Sequence, residues 1–83
     1  MFCISRDGMC VTETNGFYIR ETNALTRYYR EGEYHFNTKD ETMFCIYTKD
    51  GCFMDAFETE EEAKEKMREA TRAMASGADI FEF

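Results

Sequence analysis

Proline and tryptophan are absent, histidine occurs once, at His35, and only five of the 83 residues are glycine. With no proline- or glycine-rich stretch there is no linker, so residues 1–83 read as a single small domain. The lone histidine leaves little scope for acid–base or nucleophilic chemistry. There is also no serine motif, no glycine-rich phosphate loop and no clustered set of histidine and carboxylate ligands, so neither an enzyme nor a cofactor is expected. Basic residues are scarce as well: ten Lys and Arg face 17 Asp and Glu, a formal charge of −7. That balance disfavours direct contact with nucleic acid or an anionic membrane, because the counterion release that drives such binding needs clustered cations. No apolar run approaches the roughly 18 to 20 residues of a membrane span, and the N-terminus lacks a basic region followed by an apolar stretch. The expected location is cytoplasmic.

What the chain does contain is apolar and aromatic: 43% hydrophobic residues and 16% aromatics, the latter eight Phe and five Tyr. Such a composition folds, whereas disordered chains are charged and poor in aromatics. Domains of about 60 residues bury only about 60% of their unfolded surface, so the core is thin and a partner or a second copy is the expected source of extra stability.

The strongest local signals lie in the second half. Met43 to Tyr47 and Cys52 to Phe57 flank Asp50-Gly51, a two-residue signal for a type I′ hairpin, which pairs Tyr47 with Met54, Cys45 with Ala56 and Phe44 with Phe57. Both faces of this hairpin are apolar, so both need cover. Thr59 followed by Glu62 forms a capping box, and Gly77 is a stop signal, giving a helix from Glu60 to Ser76. Its stripe of Ala63, Met67, Ala70, Ala73 and Met74 is narrow. Pairs Glu60–Lys64 and Glu62–Lys66 support it. One slender helix covers one sheet face and leaves the other open.

The first half is read as strands Phe2 to Ser5, Met9 to Thr14 and Phe17 to Glu21. Residues Asn23 to Arg30 form either a short helix or, from Thr26, a strand pairing with Glu33 to Phe36, and periodicity does not decide. Asn37 to Glu41 reads as a polar loop and Ala78 to Phe83 as a closing edge strand. An internal echo bears on the ambiguity. Met1-Phe2-Cys3-Ile4 recurs as Met43-Phe44-Cys45-Ile46, each followed by Asp-Gly and by a second cysteine seven positions after the first. At a constant offset Thr26-Arg27, Gly32 and Phe36 match Thr71-Arg72, Gly77 and Phe81, which favours a second short helix near residues 23–31 and two ββα-like halves. The expected fold is therefore α+β: an antiparallel sheet of four to six strands with one long C-terminal helix on one face.

Four thiolates could complete a zinc shell, but Cys3/Cys10 and Cys45/Cys52 are each separated by six residues, and Cys3 and Cys45 sit in apolar strands, so inert buried thiols are expected and no metal. Disulfides and a thiol or zinc module remain as alternatives. The carboxylates from Glu58 to Glu62 are accounted for by helix capping. If Asp7, Glu13, Glu21, Glu31, Glu33, Asp40, Glu41, Asp50 and Asp55 share one side, the domain could imitate a nucleic-acid backbone and occupy a basic groove. The stretch from Thr26 to Phe36 has the composition of a recognition surface, because Tyr and Arg offer large contact area with polar ends. Expected partner-binding residues are thus Arg27, Tyr28, Tyr29, Arg30, Glu31, Glu33, Tyr34, Asp40 and Glu41. The function expected is a non-catalytic acidic protein that binds a larger partner with a basic surface. In size and charge the chain resembles the small acidic proteins that phages and mobile elements use against host defence, such as anti-CRISPR inhibitors and nucleic-acid mimics. That resemblance implies inhibition of a nucleic-acid-handling protein. The alternative is a homodimer associating through the open sheet face.

Overall fold

The computed structural model describes all 83 residues and contains eight strands and one helix. In chain order these are β1 (Phe2–Ile4), β2 (Val11–Glu13), β3 (Phe17–Thr22), β4 (Arg27–Arg30), β5 (Glu33–Phe36), β6 (Met43–Thr48), β7 (Phe53–Phe57), α1 (Glu60–Ala75) and β8 (Ile80–Glu82). The α+β class and the single long helix follow the reading of the sequence. The strands, however, divide into three sheets instead of one, ordered β2-β1-β8, β3-β6-β7 and β4-β5. Every pairing is antiparallel except β1 with β8.

The helix begins where the capping signal places it. Thr59 has extended backbone angles and its hydroxyl accepts from the Glu62 amide at 3.2 Å. The Glu62 carboxylate accepts a hydrogen bond from the Thr59 hydroxyl at 2.9 Å instead of reaching the backbone. At the other end Ala78 N–H donates to the Ala73 carbonyl and Gly77 N–H to that of Met74, with Gly77 at φ 84°, a complete Schellman stop. Lys64 pairs with Glu60 as expected, whereas Lys66 turns to Glu69 at 3.5 Å and not to Glu62. Ala63 and Ala70 are fully buried, which lets the helix lie close against β3, β6 and β7. Between them lies the main core: Cys3, Ile46, Met54, Phe57, Ala63, Ala70 and Phe83.

The β6–β7 hairpin keeps two of its expected pairs, Phe44 with Phe57 and Cys45 with Ala56, but not the third. Only Gly51 has positive φ in its turn, at 94°, and Thr48 N–H donates to the Cys52 carbonyl, so the loop holds three residues and not two. A bulge then gives Tyr47 the partner Phe53 and leaves Met54 unpaired.

Residues 27–30 form a strand, which corrects the second short helix and with it the ββα-like halves. The turn is Glu31-Gly32, with φ 51° and 82°, the two positive values of a type I′ hairpin. β1 and β6, the two copies of the echo, lie in different sheets. The β4–β5 hairpin also corrects the expectation of an uncovered sheet face, because Tyr28 packs on a second cluster, Met43, Cys45 and Ala56, on the face away from the helix.

Candidate functional site

Arg30 is the residue that fastens the β4–β5 hairpin. Its guanidinium donates to Asp55 Oδ1 at 2.6 Å, to the Ala56 carbonyl at 2.5 Å and to its own neighbour's carbonyl, Tyr29, at 2.7 Å. It also lies 4.7 Å from the Phe57 ring centre. β7 is the outer strand of its sheet, and its outward carbonyls at Met54 and Ala56 are taken by the Arg6 amide and the Arg30 side chain. That arrangement closes an edge otherwise open to pairing with another chain. Asp55 is 0% exposed. Burial pushes its carboxyl above the ordinary value while Arg30 pulls it back. Its Oδ2 has no hydrogen-bond partner and stands 3.8 Å from Arg6.

Asp55 is therefore internal and no surface charge, while Arg30 stays partly exposed at 24% of its side chain. Asp55 leaves the set of acids expected to imitate a nucleic-acid backbone. The others lie on separate elements: Asp7 in the turn after β1, Glu13 on β2, Glu21 on β3, Glu31 and Glu33 at the β4–β5 turn, Asp40 and Glu41 in the following loop and Asp50 in the β6–β7 turn, with only Glu13 and Asp50 lining a shared cleft. Glu41 has a local task, accepting from the Thr38 amide at 2.7 Å, while Asp40 lies exposed beside it. Tyr28, Arg30, Glu31, His35, Glu58 and Glu62 line an open cleft of about 390 Å³ between the hairpin and the helix start. In it the His35 ring stacks on Tyr28, with centres 5.7 Å apart.

Arg27, Tyr29 and Tyr34 face the other way. The Arg27 guanidinium lies 4.4 Å over the Tyr34 ring, Tyr29 meets that ring edge-on, and the Tyr34 hydroxyl donates to Asp7 Oδ2 at 3.0 Å. Asp7 is anchored in turn by Ser5 and by the Met9 amide, which hold its carboxyl below the ordinary range. The hydrogen bond to Asp7 raises the Tyr34 phenol. Of the nine expected contact residues, the structure brings Tyr28, Arg30 and Glu31 to the cleft, Arg27, Tyr29 and Tyr34 to the opposite side, leaves Glu33 exposed beside His35, and puts Asp40 and Glu41 in the loop after β5, outside both linings.

The surface beside Arg27 contains residues that the sequence reading passed over. On the face of β3-β6-β7 away from the helix, Tyr18 pairs with Tyr47 and Tyr47 with Phe53, a cross-strand row. The Tyr18 and Tyr47 rings stack at 5.4 Å, and Phe53 meets Tyr47 edge-on at 5.7 Å. Arg20 lies 5.9 Å from the Tyr47 ring. The hairpin covers Met43, Cys45 and Ala56 on this face but stops short of the row, leaving Tyr18 41% exposed. Arg20, Leu25, Arg27, Tyr47 and Phe53 line a groove there, and Leu25 is 76% exposed. The strand pattern contained the signal: Tyr18 and Arg20 alternate with Phe17 and Ile19, and the Asp50-Gly51 turn sets Tyr47 near Phe53.

A smaller apolar face lies on the outside of β2-β1-β8, where Phe2, Val11 and Ile80 are exposed beside Glu13 and Glu82. The four cysteines do not converge: Cys3 and Cys45 belong to separate core clusters, and no three His, Cys, Asp or Glu side chains gather round a point. No helix is long and apolar enough to cross a membrane. No protein-family model, no curated protein and no solved structure matches the chain.

Proposed function

We propose that this domain is a non-catalytic protein-binding module that docks on a larger partner through the Tyr18–Tyr47–Phe53 row, with Arg20, Leu25 and Arg27 as its border. One observation carries the reading: a single sheet face is closed by the hairpin at one end and left open at the other, and the open end is built of Tyr, Phe and Arg. Those residues dominate binding hot spots because rigid rings bury large areas at low entropic cost and guanidinium groups stack on them. Stacking on bases is the competing use of such a row, and the net charge of −7 weighs against it.

The narrower reading, an inhibitor of a nucleic-acid-handling protein in the manner of phage anti-defence proteins, draws on the acid-lined cleft of Glu31, Glu58 and Glu62. It requires affinity that falls steeply with salt. A second copy as partner is disfavoured by charge, since each chain brings −7.

The test is capture from the cells that make the protein, comparing the wild type with Tyr18→Ala and Arg20→Glu, followed by binding measurements on the purified captured protein. Loss of roughly thirtyfold in affinity, about 2 kcal/mol, is expected for a residue at the centre of the interface. Unchanged affinity in both variants removes the row from the interface. Sedimentation of the isolated chain addresses self-association: a dimer dissolved by Tyr18→Ala would make the second copy the partner.

A further inference from the structure

Two cysteines come from distant parts of the chain to one place. Cys10 ends the turn after β1, where its amide donates to Ser5 Oγ at 3.0 Å and its carbonyl accepts from the Ser5 amide at 2.9 Å. Cys52 ends the β6–β7 turn, held in the same manner by Thr48: its amide donates to Thr48 Oγ1 at 3.0 Å and its carbonyl accepts from the Thr48 amide. The two turns touch, since Thr12 donates to Asp50 Oδ2 at 3.4 Å and the Arg6 amide to the Met54 carbonyl at 2.9 Å. Both thiols pack on the main core and both are half-buried, and the Cys52 thiol is near enough to Cys10 to help raise its thiol above the ordinary range. Cys3 and Cys45, the first cysteines of the two echoed segments, are fully buried and in different clusters.

We infer that Cys10 and Cys52 form a reversible intramolecular disulfide that bolts the β1–β2 turn to the β6–β7 turn. This does not depend on the proposed docking surface. The oxidant is a low-molecular-weight disulfide of the glutathione class. One protein thiolate attacks it, forming a mixed disulfide and releasing one small thiol. The other protein thiolate then attacks the protein-side sulfur of the mixed bond, and the second small thiol leaves. In balance, two protein thiols give up two electrons and two protons, and one small disulfide becomes two small thiols. Burial, then the neighbouring Cys52 thiol and the carboxylates of Asp7 and Asp50, hold the Cys10 thiol above its ordinary range, so the exchange is slow at neutral pH. Once made, the bond closes a loop from residue 10 to residue 52, and loops of this length restrict the unfolded chain substantially.

The experiment incubates the full chain with mixtures of oxidised and reduced glutathione, counts free thiols and maps the linked peptides. The expected result is a fall from four free thiols to two, a linked Cys10–Cys52 peptide pair, and a melting temperature higher by on the order of 10 °C than that of the reduced protein. Cys52→Ser and Cys10→Ser should each stop at a mixed glutathione adduct and show no such rise. Four persistent thiols in excess oxidised glutathione would overturn the inference. So would linkage through Cys3 or Cys45, disulfide-linked dimers, or wild-type protein that accumulates mixed adducts without closing the ring.

Discussion

The two faces of the β3-β6-β7 sheet are closed by different physics. Towards the helix, cover comes from apolar contact alone: Ile46, Phe57, Ala63 and Ala70 meet without a polar atom among their side chains, and the small alanines set the close approach. Towards the β4–β5 hairpin, the cover is fastened by a buried ion pair, Arg30 with Asp55, supported by ring contacts at Tyr28 and Phe57. Apolar cover is additive and tolerant. An ionic fastening concentrates its stabilisation in one pair, because removing either partner strands the other in a low-dielectric site. The second face is thus the weaker one and the one that stays partly open.

The largest expected effect breaks the ionic side. Arg30→Ala leaves Asp55 with only Arg6, 3.8 Å away, as a counter-charge and should cost about 3 kcal/mol in urea unfolding at pH 7. The pH dependence follows from the two opposing influences on Asp55. With Arg30 gone, only the Ala56 amide and the more distant Arg6 still oppose desolvation, and the folded-state pKa rises further above the ordinary carboxyl value of 3.8. A raised acid pKa means that the folded state keeps its proton more readily, so the penalty grows as pH rises through that window and fades below it. The difference between variant and wild type should shrink when unfolding is repeated near pH 4; a difference independent of pH would show that Asp55 is not the group left unpaired.

On the helix side, Ile46→Ala should cost about 2–5 kcal/mol, for lost burial and the cavity left, with no comparable dependence on pH. Thr59→Ala removes the helix cap and should cost about 1 kcal/mol, read as a lower midpoint with an unchanged slope. The smallest effect belongs to the open end of the weaker face, where Tyr18→Ala should change stability by no more than about 0.5 kcal/mol while reducing partner binding. A large loss of stability there would mean that the row is a cover and not a contact surface.

Helix α1 was legible because its signals are local: Thr59, the glutamates of the first turn and Gly77 act within a few residues of themselves. The β6–β7 hairpin was legible for the same reason, apart from the bulge that Met54 introduces and the extra loop residue. The strand at Arg27–Arg30 was hidden by its turn. Glu31 adopts positive φ, which glutamate rarely does, so Glu31-Gly32 lacks the Asn-Gly or Asp-Gly mark of a type I′ turn. Asp55 was misread because a carboxylate in an apolar strand looks like a solvent-facing position until its arginine, 25 residues away, is in place. The Tyr18–Tyr47–Phe53 row depends on how far the hairpin reaches across the sheet, and no residue in the row encodes that reach.

The parallel pairing of β1 with β8 sets an order of events. Phe2 meets Ile80 and Ile4 accepts a hydrogen bond from Phe83, contacts between positions nearly a whole chain apart. Closing so long a loop is entropically costly and yields only three paired residues on each strand, whereas the β6–β7 hairpin and the helix that follows it form from near neighbours. The β6-β7-α1 segment is therefore expected to form first, and the β1–β8 pairing to be the last to close and the first to open. In hydrogen exchange its amides should trade with solvent before those of β6, which makes the small sheet the molecule's breathing point.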